Sequence, residues 1–274
     1  MNDFEQQIKD IYSKDLEQKK TWYSSVAAAY NKTRPRYPLE LINRTLELTQ
    51  LPAHAKIMEI GCGPGTATIA FAKLGFSMVC LEPSQDAFQL AQFNCTKYPK
   101  VEIKNTTFEE WELEAEKFDA VLAATSFHWV STKIAYSKAA KALKDNGSLI
   151  LLWNTPPQPN NEVSQLLKEF YQTHAPSLAL SQDIATHQEN LSKFGQAVID
   201  SGQFKNLVSE QFIPKVSYSI DNYLGLLSTL SPYIALEQEK QDSLFTSLRE
   251  VLEKNCPGSI QTSYLSVVQI AQKI

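Results

Sequence analysis

Between Ile57 and Phe71 the chain reads IMEIGCGPGTATIAF. Three alternate glycines, Gly61, Gly63 and Gly65, follow an apolar run that carries one acidic residue, Glu59. Glycines at this spacing let backbone approach a ligand closely, because they have no Cβ and adopt positive φ without strain. Four further residues have types and positions that suit chemistry. Glu82 ends the next apolar run, SMVCLE, where a carboxylate can accept from both hydroxyls of a sugar. Phe108 and Glu109, in TTFEEW, pair an aromatic face with an acceptor, the means to hold a nucleobase. His128, in SFHWV, is the one candidate base, since His54, His174 and His187 fall in turns or late helices.

Three ligand chemistries compete for the glycine turn. A nucleoside triphosphate loop needs Lys followed by Ser or Thr after its last glycine, and Thr66-Ala67 stands there. A dinucleotide turn needs G-x-G-x-x-G, and counting from Gly61 or Gly63 puts its third glycine at Thr66 or Thr68. The third pattern, acidic-x-G-x-G-x-G, belongs to adenosylmethionine binders, and Glu59 to Gly65 satisfies it in full. Charge separates the last two. A pyrophosphate seeks free amides at a helix N-terminus and would be repelled by Glu59. Adenosylmethionine has no phosphate; it carries a ribose diol, a sulfonium and an amino-acid end, and an acid at the strand end suits its cationic groups. Glu82 alone does not discriminate, because NAD enzymes place an acid at a similar point.

The elements that must position these residues alternate. Strands are predicted at 56–60, 77–82, 101–104, 118–124 and 148–154, with helices at 66–74, 84–94 and 134–143 between them. Short apolar strands alternating with helices mean a parallel sheet covered on both faces. Ligands then bind beyond the carboxyl ends of the strands, where strand order reverses. Before this core, a helix is predicted from about Asp3 to Ser24, a Pro35/Pro38 break through YSSVAAAYNKTRPRYP, and a helix from Leu39 to Thr49. After Trp153 the chain is mostly helical and is expected above the sheet, with late strands around 209–219 and 263–272. The expected organisation is an N-terminal helical lid (1–50), an α/β binding core (51–155), and helical cap insertions plus the last strands (156–274).

Composition narrows the partners. A net charge of −4 with no run of five like charges gives nucleic acid no basic surface to follow. Cys62, Cys80, Cys95 and Cys256 form no C-x-x-C, so neither a zinc site nor a disulfide framework is expected. The N-terminus lacks an apolar signal core, and no apolar run approaches the ~20 residues that cross a bilayer. The expectations are a cytoplasmic protein, no membrane, no nucleic acid, no metal, and a monomer or homodimer.

The segments MEIGCGPG, LEPS, FEEW, FDAVLAATSFHWV and KALKDNGSLILLWN, in this order, resemble the class I S-adenosylmethionine-dependent methyltransferases. More narrowly they resemble the small-molecule subgroup that includes trans-aconitate methyltransferases, whose leader AAAYNKTRPRYP is also similar to. The resemblance implies a Rossmann-like sheet of seven strands, mostly parallel with the last strand antiparallel, sandwiched by helices. It implies S-adenosyl-L-methionine as cofactor and S-adenosyl-L-homocysteine as product. Carried onto this chain, it assigns Glu59, Gly61, Gly63 and Gly65 to the methionine part, and Glu82 with Pro83 to the ribose. Phe108 and Glu109 fall at adenine, the segment Ala124 to His128, Phe127 included, faces the sulfonium, and Tyr30 and Arg34 close over the cofactor.

The implied reaction is methyl transfer by in-line displacement to a small-molecule acceptor, a carboxylate or hydroxyl oxygen being favoured. His128 is expected to position more than to move a proton. NTPPQP (154–159) is similar to an amino-group methyltransferase motif, but follows strand five rather than four and has Gln158 where an aromatic belongs. The stretch YLGLLSTLSPYIAL (223–236) offers Tyr223, Thr229, Ser231 and Tyr233 either to an acceptor pocket or to a helix pair packing on the sheet. Two other functions stay open: an adenosylmethionine sensor without catalysis, and an NAD-dependent oxidoreductase, which the failed third glycine and Glu59 count against.

Overall fold

The computed structural model describes residues 14–178 and 183–274. Its N-terminal part has helices α1 (Leu16–Thr21) and α2 (Ala27–Thr33), joined through a 3-10 turn at Ser24–Val26, and then α3 (Leu39–Thr49). Residues 1–13 of the expected first helix lie outside the described residues. The expected break through 23–38 is shorter than its prolines suggested. Alanines 27–29 favour helix, and a proline restricts only its predecessor, so extended backbone starts at Arg34.

The alternating core follows: β1 (Lys56–Ile60), α4 (Thr66–Ala72), β2 (Ser77–Leu81), α5 (Gln85–Cys95), β3 (Val101–Lys104), β4 (Phe118–Ala124), α6 (Thr132–Ala142) and β5 (Leu143–Asn154). Strand β5 starts earlier than expected because it takes up a register shift against β4, with Asn146 at φ 60°. Then come β6 (Gln158–Pro159), α7 (Asn161–His174), α8 (Ile184–Asp200), β7 (Phe204–Phe212), β8 (Lys215–Tyr218), α9 (Ile220–Ser228), α10 (Ser231–Ile234), α11 (Gln238–Asn255), β9 (Ile260–Ser263) and β10 (Ser266–Lys273).

Seven strands form one sheet in the order β3-β2-β1-β4-β5-β10-β7. Strand β10 runs antiparallel to both β5 and β7, and the pairs from β3 to β5 are all parallel. The expected strand at 209–219 is two strands in different sheets. Pro214 lies between them, and β8 joins β9 and β6 in a small second sheet.

Period-2 alternation sorts the strand residues to two faces. Ile57, Met78, Cys80, Ala120, Leu122, Ile150 and Leu152 pack under Leu41, Ile42, Ala67, Phe71 and Ala91 of α3, α4 and α5. Met58, Ile60, Val79, Val121, Leu149 and Leu151 pack against Ala135 and Ala139 of α6 and Leu191 and Val198 of α8. Helix α8 therefore covers the sheet rather than joining the cap expected above it. A third apolar cluster, with Leu167, Phe170, Leu226, Tyr233, Leu248 and Leu252, is the core of the cap built by α7, α9 and α11.

Candidate functional site

Strand order reverses between β1 and β4, and the backbone of β1 leaves the sheet there through Gly61 (φ 63°), Gly63 (φ 56°) and Gly65 (φ 88°). Each is left-handed, which L side chains rarely adopt. A Cβ on Gly61 would stand 2.8 Å from Ser126 Cβ, whereas one on Gly63 would meet no protein atom within 4 Å. The first glycine is packed tight; the second opens on a cavity. Its walls come from the glycine loop, the ends of β2 and β4, the loop after β3, and the N-terminal segment from Leu16 to Tyr37.

Glu82 lies on this wall just past β2, buried. Its Oε2 accepts from the Gly63 amide at 2.7 Å and its Oε1 from the Ser84 amide at 2.8 Å. Burial pushes its carboxyl up to about 7, although the two backbone donors pull the other way. Each oxygen keeps one lone pair for an outside donor. Pro83, Ala124 and Tyr30 also line the cavity. Phe108 borders the cavity, and its ring stacks on Trp111 within the buried core to which both belong. Glu109 lines the cavity, but its Oε1 already accepts from the Ser131 amide at 3.0 Å.

Three expected residues are placed off the cavity wall. Glu59 is fully buried beneath the loop, off the cavity wall. Its Oε2 accepts from Thr68 Oγ1 at 2.6 Å, and its Oε1 has no partner among the described residues. Burial raises its carboxyl to about 8, so at neutral pH it is a protonated brace between β1 and α4 and not a counter-ion. Gly65 turns away from the cavity, its missing Cβ facing Cys95 Sγ. Phe127 is buried behind the loop against Tyr136. Arg34 does line the cavity, but its Nε and Nη2 donate to Thr229 Oγ1 and to the Thr229 carbonyl at 2.8 and 2.7 Å. Its guanidinium also sits 4.8 Å from the centre of the Tyr30 ring.

His128 is on the cavity wall among Trp129, Trp153 and Phe194, with ring centroids 5.7 to 6.1 Å away. Its Nδ1 is buried without a hydrogen-bond partner among the described residues, and burial lowers its pKa to about 4. At neutral pH this imidazole is uncharged and a weak base.

Sequence reasoning missed Tyr23, Tyr37 and Asn154, all on the wall, and had Thr125 only as part of the segment 124–128. Tyr37 Oη lies 2.8 Å from Thr125 Oγ1, which also accepts from the Asn154 amide at 3.1 Å. Thr125 stands at φ 57°, and a β-branched residue there is an outlier that only its surroundings can impose. Nothing in the local pattern announces this. Tyr37 was in view within RPRYP, but its contact spans 88 positions of sequence. Burial pushes the hydroxyls of Tyr23 and Tyr37 upward, so both are donors rather than bases. Of the tyrosines offered by 223–236, Tyr223 and Tyr233 are spent in the core of the cap. Ser231 is off the wall and bonds to Tyr23, which lines it. Among the described residues no three of His, Cys, Asp and Glu are grouped to hold a metal ion, and no helix is long and apolar enough to cross a membrane.

The glycine cradle, the cavity-facing carboxylate and the aromatic face fit an adenosyl ligand without phosphates. Comparison with known proteins agrees. Residues 57–147 match a family described as a methyltransferase domain. An uncharacterized methyltransferase of Mycobacterium tuberculosis is 31% identical over 134 residues, 48% of this chain and 52% of that protein. The chain thus spans about half the length of the curated relatives it matches first. An uncharacterized methyltransferase of Schizosaccharomyces pombe is 23% identical over 257 residues, 90% of this chain and 95% of that one. Among solved structures, a type II methyltransferase candidate from Anaeromyxobacter dehalogenans shares the fold. Its TM-score is 0.64 at 18% identity, over 88% of this chain and 97% of that one. A phosphoethanolamine N-methyltransferase of Haemonchus contortus, solved with S-adenosyl-L-methionine, has a TM-score of 0.51 at 15% identity, over 97% of this chain and 60% of that one.

Proposed function

We propose that the chain, whose residues 57–147 match a methyltransferase domain, is a class I S-adenosylmethionine-dependent methyltransferase that acts on a small-molecule acceptor, on a carboxylate oxygen before a hydroxyl. The carrying observation is the Gly63–Glu82 pair: a glycine with open space at its missing Cβ, its backbone amide donating to a buried carboxylate on the same cavity wall. When bound, S-adenosyl-L-methionine supplies a methyl group already activated by a sulfonium leaving group.

The work left to the protein is alignment, and positioning of this kind contributes ~7–11 kcal/mol to rate. Gly61 and Gly63 admit the methionine part close to backbone, and Glu82 accepts from the ribose hydroxyls. Phe108 covers adenine, and Tyr30 and Arg34 close the cavity from the N-terminal side. His128, Trp129 and Ala124 shape the wall at the methyl end, where the rings also favour positive charge. The preference for a carboxylate follows from what the wall lacks. His128, lowered to about 4, is too weak to take a proton from a hydroxyl, and the raised Tyr23 and Tyr37 are weaker acids still. An acceptor oxygen ionised at neutral pH needs no base.

The test is calorimetric titration with S-adenosyl-L-methionine, S-adenosyl-L-homocysteine and NAD side by side, followed by a methyl-transfer screen of carboxylic acids and phenols. Micromolar binding of the first two with none for NAD is expected, with turnover first among the acids. Binding of NAD alone overturns the reading; adenosyl binding with no turnover on any acceptor leaves a sensor in its place.

A further inference from the structure

Helix α9 ends at Ser228, and a helix C-terminus leaves carbonyls unpartnered and partially negative. Thr229 follows it as the C-cap, fully buried, its Oγ1 donating to the Leu226 carbonyl at 2.6 Å. The charge that answers this terminus is Arg34, 195 positions away, whose Nε and Nη2 both land on Thr229. These two donors lie on one edge of the planar guanidinium. The end edge, Nη1 with Nη2, has no hydrogen bond from the Nη1 side, and Arg34 is in no ion pair, among the described residues. The same side chain lines the cavity that the glycine loop forms. Neighbouring contacts hold the pairing: Tyr218 donates to the Thr33 carbonyl at 3.0 Å, and Gly225 packs against Thr33.

We propose that Thr229, which is off the cavity wall, is a positioning residue for the cofactor that acts through Arg34. It grips the side edge of the guanidinium so that the end edge is presented, already oriented, to the carboxylate of the amino-acid end. The inference rests on the adenosylmethionine reading above. A carboxylate matches the end edge bidentately. Without Thr229 Oγ1 the long side chain regains rotamers that binding must then freeze out. The effect therefore falls on ligands that carry the carboxylate and spares those that lack it.

The experiment titrates the wild type, Thr229→Val and Thr229→Ser with S-adenosyl-L-homocysteine and with 5′-methylthioadenosine, the same adenosyl thioether without its amino-acid end. We expect Thr229→Val to weaken adenosylhomocysteine about five- to tenfold, the cost of immobilising one long side chain on binding, with methylthioadenosine unchanged. Thr229→Ser, which keeps the hydroxyl, restores wild-type affinity. In an Arg34→Lys background, Thr229→Val adds no further loss. Equal weakening of both ligands marks a merely structural residue and overturns the proposal, as does no weakening of either. If Thr229→Val does not fold, Thr229→Ala carries the same comparison. A wild type that binds neither ligand overturns the adenosylmethionine reading itself, a result distinct from either of these.

Discussion

Two buried carboxyls adjoin the glycine turn in space, and they have different jobs. Glu82 faces the cavity and is held by two backbone amides; Glu59 faces the interior, with one oxygen unpartnered among the described residues. Burial raises Glu59 from 4.5 to about 8, which makes a stability statement. Between those values the folded state keeps a proton that the unfolded chain releases, so stability falls as pH rises through the window and levels off above it. The slope approaches about 1.4 kcal/mol per pH unit where the two states differ by one proton. Glu59→Gln, which cannot ionise, should match the wild type near pH 5 and lose less of its urea midpoint by pH 8. Parallel midpoint curves for the two proteins would show that Glu59 does not titrate this way. The acidic position of the motif was legible in the sequence, but its role was not. Alternation along β1 sends Glu59 to the face under α4, and that face is known only once the helix is seated.

At the scale of the element, the strand–turn–helix from Lys56 to Ala72 was readable because its signals are local. Gly61 and Gly63 both stand at positive φ, yet they should not respond alike to alanine. Gly63→Ala meets open space and incurs mainly the left-handed backbone cost of about 1 kcal/mol. Gly61→Ala adds a clash with Ser126 Cβ, and Ser126 Oγ donates to the Ile60 carbonyl that ends β1. Thermal melting should therefore show the larger loss at Gly61. Gly63→Ala should melt close to the wild type yet lose adenosylhomocysteine binding, because its new methyl group occupies ligand space. Equal melting losses would mean that the β4 loop yields freely around Ser126. The lid was less legible for the opposite reason. Helix α2 owes its position to Arg34, Tyr23 and Trp22 meeting residues 229–231, contacts that no window of sequence contains.

On the scale of the whole molecule, the sheet is not complete where the core was expected to end, at residue 155. Strand β10 lies between β5 and β7, so the last strand in sequence is an interior strand of the sheet. Val267, Val268, Ile270 and Ala271 are buried on its two faces, and Gln269 receives Trp153 Nε1 while donating to the Leu191 carbonyl. Ending the chain before Ser266 should leave β7 unpaired, one edge of β5 open and the apolar faces of α3 and α8 uncovered. Circular dichroism should then show no cooperative melt; a sharp transition from the truncated chain would show that the sheet does not need β10.

By itself the sequence determined the parallel α/β core, its glycine turn and the kind of ligand that turn admits. Those follow from periodicity, φ preference, the spacing of the three glycines and the acid at the end of the next strand, all read along short stretches of the chain. Tertiary structure alone decided that Glu59 is a brace, that Thr125 is held at positive φ by its hydroxyl contacts with Tyr37 and Asn154, and that Arg34 is gripped by the cap. Each of these depends on which distant group arrives at an atom with hydrogen-bonding capacity to spare. The number of donors and acceptors a residue carries is written in its type. Which partner satisfies them is settled only when helices and strands far apart in sequence are packed together.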